Sequence, residues 1–114
     1  MFEKNLRLVP LFDLYGELLS DAQRSMFDLY YNDDLSLSEI AENTGITRQG
    51  VRDSIKRAEE MLLAFEKKLG LSERLDRIER KTAEAETLLS DLRRAHPELG
   101  APLDELAALV RSIL

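Results

Sequence analysis

Apolar residues recur along this chain at spacings of three and four, a pattern that predicts helices from end to end. A first helix is expected over roughly residues 5–19, with Leu6, Val9, Phe12 and Leu19 as its apolar positions. Its regular part is placed near Pro10, because a proline is tolerated only in a first helical turn. Ser20 with Gln23 three residues on is a capping-box signature. It opens a second helix that buries Met26, Phe27 and Tyr30 and stops at Asn32-Asp33-Asp34. Ser36 with Glu39 opens a short third helix carrying Leu37, Ile40 and Ala41, closed by Gly45 in a left-handed C-cap. Thr47 caps a fourth helix that runs to about Leu69, with Val51, Ile55, Ala58, Leu62 and Phe65 on one stripe and Gly70 as its stop.

A fifth helix begins at Ser72. Its apolar positions Leu75, Ile78, Thr82, Ala85, Leu89 and Leu92 alternate spacings of three and four, which is a heptad seam. The segment His96–Gly100, with Pro97, breaks it, and Pro102 starts a last helix expected to bury Leu103, Leu106, Val110 and Ile113. So short a break predicts an antiparallel helical hairpin. The seam has two readings: packing within the chain, or a dimer interface through Leu75, Ile78, Thr82, Leu89 and Leu92. The expected organisation is an all-α chain, with a helix-turn-helix domain over residues 1–70 and a C-terminal hairpin over residues 71–114.

Composition narrows the chemistry. There is no cysteine, which excludes disulfides, thiolate metal sites and cysteine nucleophiles. The single histidine, His96, cannot build a zinc site alone and reads as a helix-terminal residue. Asp33-Asp34 reads as loop chemistry, and Phe12, Tyr15, Phe27, Tyr30 and Tyr31 as core or core-edge aromatics. No nucleophile with a base partner, no phosphate-cradling glycine loop and no metal-ligand spacing is present, so no enzyme, no cofactor and no metal are expected. No apolar run reaches the roughly 18 residues of a membrane span. The N-terminal stretch carries acids and lacks a cleavage site, so the expectation is a cytoplasmic protein without membrane insertion.

Charge changes the picture most. The net charge of −6 argues against general coating of nucleic acid. Residues 48–57, however, carry four basic groups and one acidic, while the stretches on both sides are net acidic. The same window lies in LSLSEIAENTGITRQGVRDSIKR, which reads as a helix-turn-helix. Ala41 is small enough for two helices to cross closely, Gly45 permits positive φ in the turn, Ile40, Ile46 and Val51 are placed to seal the pair, and Thr47 caps the second helix. At 100° per residue, Gln49, Arg52, Asp53, Lys56 and Arg57 point away from the apolar stripe or flank it, and Arg48 lies in the first turn. Thr47, Arg48, Gln49, Arg52, Lys56 and Arg57 are therefore the candidate nucleic-acid-binding residues. Arg48 and Arg52 suit guanine edges, Gln49 adenine, and Lys56 and Arg57 phosphates. A solvated face that contacts nothing, or a protein-contact surface, are the competing readings of the same residues.

The run YYNDDLSLSEIAENTGITRQGVRDSIKR, with LFDLYGELLSDAQRSMFDLYY before it, resembles the YlxM family over about residues 1–80. The resemblance implies a small cytoplasmic bacterial protein with a helix-turn-helix like region 4 of sigma factors, of the winged-helix-like DNA-binding class. It also implies a regulatory role in the signal recognition particle pathway, with that particle's RNA or its GTPase protein as partner. Where the family tends to read RQAVYD, this chain has Arg48-Gln49-Gly50-Val51-Arg52-Asp53. The residues themselves leave two other functions open: a sequence-specific DNA-binding regulator, and a dimeric helical interaction module.

Overall fold

The computed structural model describes residues 3–113; Met1, Phe2 and Leu114, which the expected domain bounds take in, lie outside them. The described chain forms α1 (Leu8–Tyr15), α2 (Asp21–Tyr31), α3 (Leu37–Thr44), α4 (Arg48–Leu69), α5 (Leu71–Ala95) and α6 (Gly100–Arg111). Single 3₁₀ turns, Gly16–Leu18 and Pro97–Leu99, follow α1 and precede α6. No strand occurs among the described residues, so the bundle is all-helical and its helix-turn-helix carries no β-wing. Two compact units result, Met1–Ser72 and Glu73–Leu114.

Local chemistry sets the ends of the helices in the first unit. Both capping boxes form: Ser20 Oγ accepts from Gln23 N at 3.2 Å while Ser20 N donates to Gln23 Oε1 at 3.3 Å, and Ser36 and Glu39 repeat the exchange at 3.1 Å each. Gly45 and Gly70 close α3 and α4 at φ of +73° and +63°, a conformation that costs glycine nothing and an L side chain about 1–2 kcal/mol.

The core takes one stripe from each helix: Leu8, Leu11 and Tyr15 from α1, Met26, Phe27, Tyr30 and Tyr31 from α2, and Ile40 from α3. Across them lies α4, with Val51, Ile55, Ala58 and Leu62 fully buried. Burial of a valine, isoleucine or leucine contributes about 1.5–3 kcal/mol, so this stripe anchors the long helix from its first turn to its middle. Phe27 is the centre of an aromatic stack, 4.5 Å from the Phe12 ring and 4.1 Å from the Tyr31 ring.

Two buried hydroxyls close the unit. Tyr31 donates to Glu59 on α4 and accepts from Asn5 N at 2.9 Å, tying the N-terminal segment down. Tyr15 donates to Glu66 Oε1 at 2.7 Å and accepts from Leu71 N at 3.1 Å, while Glu66 Oε1 also accepts from Ser72 N at 3.0 Å. Those amides are the first donors of α5, which its own backbone leaves unmet, so the tyrosine and glutamate act as its cap. Burial pushes both phenols above their usual range, and each carboxylate partner adds to the effect.

The structure corrects α1. It starts at Leu8, two residues before Pro10, and ends at Tyr15 rather than near Leu19. Its buried face is Leu8, Leu11 and Tyr15, whereas Leu6 precedes the helix and is 70% exposed, and Val9 and Phe12 are half-buried. Two apolar phases overlap in this segment, and the 3₁₀ turn after Tyr15 selects the one that brings Leu19 back to the core.

In the second unit α5 and α6 run antiparallel. Leu103 is buried and Ala107 lines the same depression as Leu89; Ile78, Thr82 and Ala85 lie opposite Val110. Arg93 pairs with Asp104, and Arg111 Nε lies 3.9 Å from Glu86 Oε1. The last helix is corrected too: it starts at Gly100, with Pro102 in its first turn, and it exposes Leu106 by 47% and Ile113 by 60%. Apolar residues cover a broad arc of α6, and only the part centred on Leu103 and Val110 meets α5.

Candidate nucleic-acid interface

The turn between α3 and α4 is three residues, Gly45-Ile46-Thr47. Gly45 N donates to Ala41 O at 3.0 Å, and Thr44 Oγ1 donates to Ile40 O at 2.7 Å, so α3 finishes tightly under the start of α4. Ile40 and Val51 are fully buried where the two helices meet. Ile46 is not: expected at this seal, it is 41% exposed, because the turn carries it past the contact. Its methyl instead lies where a Cβ on Gly50 would stand, 3.0 Å away.

Thr47 Oγ1 accepts from Gly50 N at 3.0 Å, which places Arg48, Gln49 and Gly50 in the first turn of α4. The amides of Arg48 and Gln49 are therefore the helix's unmet first-turn donors and its positive pole. Arg48, Gln49, Arg52, Asp53, Lys56 and Arg57 are all exposed, on the side of α4 opposite the buried stripe. Gln49 Nε2 donates to Asp53 Oδ1 at 2.9 Å, an i,i+4 bond that holds the amide along the helix. Arg48 and Arg57 form no ion pair among the described residues. Lys56 sits close enough to Glu59 to pull that carboxyl down, although burial leaves Glu59 above the usual carboxylate range overall. The sequence-predicted set thus forms one cationic face, with Thr47 spent on the cap and Gln49 bonded to Asp53.

Sequence reasoning missed the neighbour of this face. A groove of about 380 Å³ runs between the start of α2 and α4, lined by Ser20, Gln23, Gly50, Asp53, Ser54 and Arg57. Ser20 and Gln23 are legible as a capping box and Asp53 and Arg57 as exposed positions of α4, but no local signal brings the two sets together. Gly50 forms part of its floor, and the exposed Ile46 side chain is free to rotate away from a new methyl. Gly50→Ala is accordingly expected to stabilise the first unit by up to about 0.5–1 kcal/mol, the usual cost of glycine in a helix, readable as a higher urea midpoint at unchanged slope. A lower midpoint would mean that the Thr47 cap, 3.1 Å from the new Cβ, is displaced.

The remaining candidates settle elsewhere. His96 Nδ1 lies 3.1 Å from Glu98 Oε1, just past the end of α5. Asp34, at φ +56°, pairs with Lys4, whose ammonium holds the carboxyl below its usual range; the same ammonium lies 4.9 Å from the Tyr30 ring centre. No group of three potential metal ligands occurs among the described residues, and no helix among them is long and apolar enough to cross a membrane.

Two helices crossing through a glycine turn, the second one exposed along a cationic side, define a helix-turn-helix protein. The chain belongs to the UPF0122 family, described as "putative helix-turn-helix protein, YlxM / p13 like", whose model matches residues 2–96. That match continues past Lys81 to the end of α5. Among its relatives, a UPF0122 protein of Bacillus mycoides is 42% identical over 109 residues, covering 96% of this chain and 99% of its own. One from Bacillus cereus is 41% identical over the same length, and one from Clostridium kluyveri is 53% identical over 77 residues, 68% of this chain and 69% of its own.

Proposed function

We propose that the protein is a non-catalytic, cytoplasmic nucleic-acid-binding accessory factor that uses the start of α4, and that it serves the signal recognition particle pathway. In this reading residues 1–70 are the binding domain and 71–114 a hairpin for packing or assembly. The observation that carries it is a broken local rule. Helices α2 and α3 each place an acid in the first turn, Asp21 and Glu39, as the helix dipole favours. Helix α4, like α1 and α6, has none there, but among the described helices it alone opens on an arginine, Arg48, beside the positive pole, without a side chain at Gly50 to complete a capping box. Such a departure costs stability and is expected where a site is built. Lys56 and Arg57 supply phosphate contacts, and Arg48, which by chemistry alone suits a guanine edge, joins them because it heads α4 beside the first-turn amides, which offer a further one; Arg52 and Gln49 face base edges. The particle's RNA, with its GTPase protein beside it, is the partner that the family resemblance favours.

A second reading, a sequence-specific DNA regulator, is favoured by the exposed Gln49 and Arg52, because an exposed helix start fits the wide major groove of B-DNA and not the narrow one of A-form RNA. Titration of the purified protein with an RNA hairpin and with random duplex DNA, at several salt concentrations, separates the two. Four cations predict a slope of log affinity against log salt no steeper than about −0.9 per phosphate contact, and a nonspecific Kd of about 10⁻⁴–10⁻⁶ M. Tighter binding to RNA supports the first reading and selection of a discrete duplex site the second. Absence of binding to either at low salt overturns both. The α5 seam lends less to the module reading, because Ile78, Thr82 and Leu89 are half-buried within the chain, leaving Leu75 and Leu92 exposed.

A further inference from the structure

The two sides of the C-terminal hairpin differ. One side carries the two ion pairs that join α5 to α6, Arg93 with Asp104 and Arg111 with Glu86. At 100° per residue the other side takes Leu88 and Leu92 from α5 and Leu106 and Leu109 from α6, and Ile113 lies just past the end of α6. All five are exposed, Leu88 by 59% and Leu109 by 61%. Together they present on the order of 500 Å² of apolar surface, toward the upper end of the roughly 300–600 Å² of a monomer's largest patch and short of the ~800 Å² each partner gives to a standard interface, so the association expected is a weak, concentration-dependent one. The hairpin has little core of its own: Leu103 is the one buried residue among the described positions of this unit.

The same side is built to receive itself. At the open end of the hairpin lies an apolar groove of about 260 Å³ between α5 and α6, walled by Ile78, Thr82, Ala85, Val110 and Ile113. Toward the turn stand the projecting leucines, Leu88 and Leu92. The rim differs in the same direction: Arg77 and Lys81 at the open end are exposed and form no ion pair among the described residues, while near the turn Asp91 pairs with Arg94 and Glu98 lies against His96. We propose that this side is an interface between two copies of the chain, related by a two-fold axis across the hairpin. Each copy seats its Leu88 and Leu92 in the other's groove, and the two hairpins complete a four-helix bundle. The proposal stands apart from the nucleic-acid reading and survives its failure.

The test uses the whole 114-residue chain. Its light-scattering mass is expected to rise from that of one chain to that of two with increasing concentration. Leu109→Asp, which places a carboxylate in the interface, is expected to weaken the dimer by at least about a hundredfold while the helix content of the first unit stays unchanged. Because the chain has no cysteine, a single one reports directly on the face. The thiol of Leu109→Cys is expected to react more slowly as the protein dimerises, while that of Ser90→Cys, on the opposite side, keeps its rate. A mass of one chain at every concentration overturns the proposal in either form: with the position-109 thiol accessible, nothing covers the face, and with it protected, the chain covers itself. Capture of the monomer by lipid vesicles, in place of dimerisation, also overturns it.

Discussion

Replacing Phe27 with alanine is expected to remove most of the stability of the first unit. The side chain is fully buried and sandwiched between the rings of Phe12 and Tyr31, so its loss takes away transfer energy and ring contacts at once and leaves a cavity that the flanking rings cannot fill. Substitutions of this kind cost about 3–5 kcal/mol. A unit of this size has a total stability at the low end of about 5–15 kcal/mol, so the variant sits near its unfolding threshold at room temperature. Thermal unfolding followed by circular dichroism should move down by more than about 12 °C, at roughly 4–8 °C per kcal/mol. Phe12→Ala, at a half-buried position on the edge of the stack, should cost clearly less. Equal losses at the two positions, or a loss at Phe27 below about 1 kcal/mol, would mean that the stack does not hold the bundle together.

The parts of this fold that were legible in the sequence are those fixed by chemistry within a few residues. Ser20 with Gln23, Ser36 with Glu39, and Thr47 each satisfy an amide three positions on, and Gly45 and Gly70 close helices for a reason internal to their own backbone. The exposure of the cationic side of α4 followed from the same logic, since one unbroken apolar stripe leaves the opposite side to solvent. Where a segment is apolar in two phases, the pattern alone does not choose. Leu6, Val9 and Phe12 compete with Leu8, Leu11 and Tyr15 in α1, and Leu106 and Ile113 compete with Ala107 and Val110 in α6; packing against other helices decides both. Ile46 was misplaced because a turn residue has no period to follow. The Tyr31–Glu59 and Tyr15–Glu66 clamps join positions 28 and 51 residues apart, and no local signal announces them. Gln49 and Asp53, four apart on one helix, were individually visible, yet only the coordinates show that they spend hydrogen-bonding capacity on each other.

Arg48→Glu is expected to push stability and binding in opposite directions, which separates a built site from an accidental cluster of charge. At the first position of α4 a carboxylate interacts favourably with the positive pole that an arginine opposes, so the variant should unfold later, by about 0.3–1 kcal/mol at low ionic strength. On the proposed nucleic-acid reading, the same change removes a phosphate contact and sets a negative charge beside the first-turn amides, where the backbone of a nucleic acid would approach. Binding should therefore weaken, and the salt dependence should flatten by about one contact. Adding Lys56→Glu, about two turns along the same side, should take binding below detection without unfolding the chain, since Lys56 is exposed and lies outside the core. Matched measurements of melting temperature and of titration with the nucleic acid that binds wild-type protein check both arms. Should Arg48→Glu stabilise the fold and leave affinity and salt slope untouched, the arginine at the head of α4 has no ligand to meet, and the cationic side of that helix is only a solvated surface.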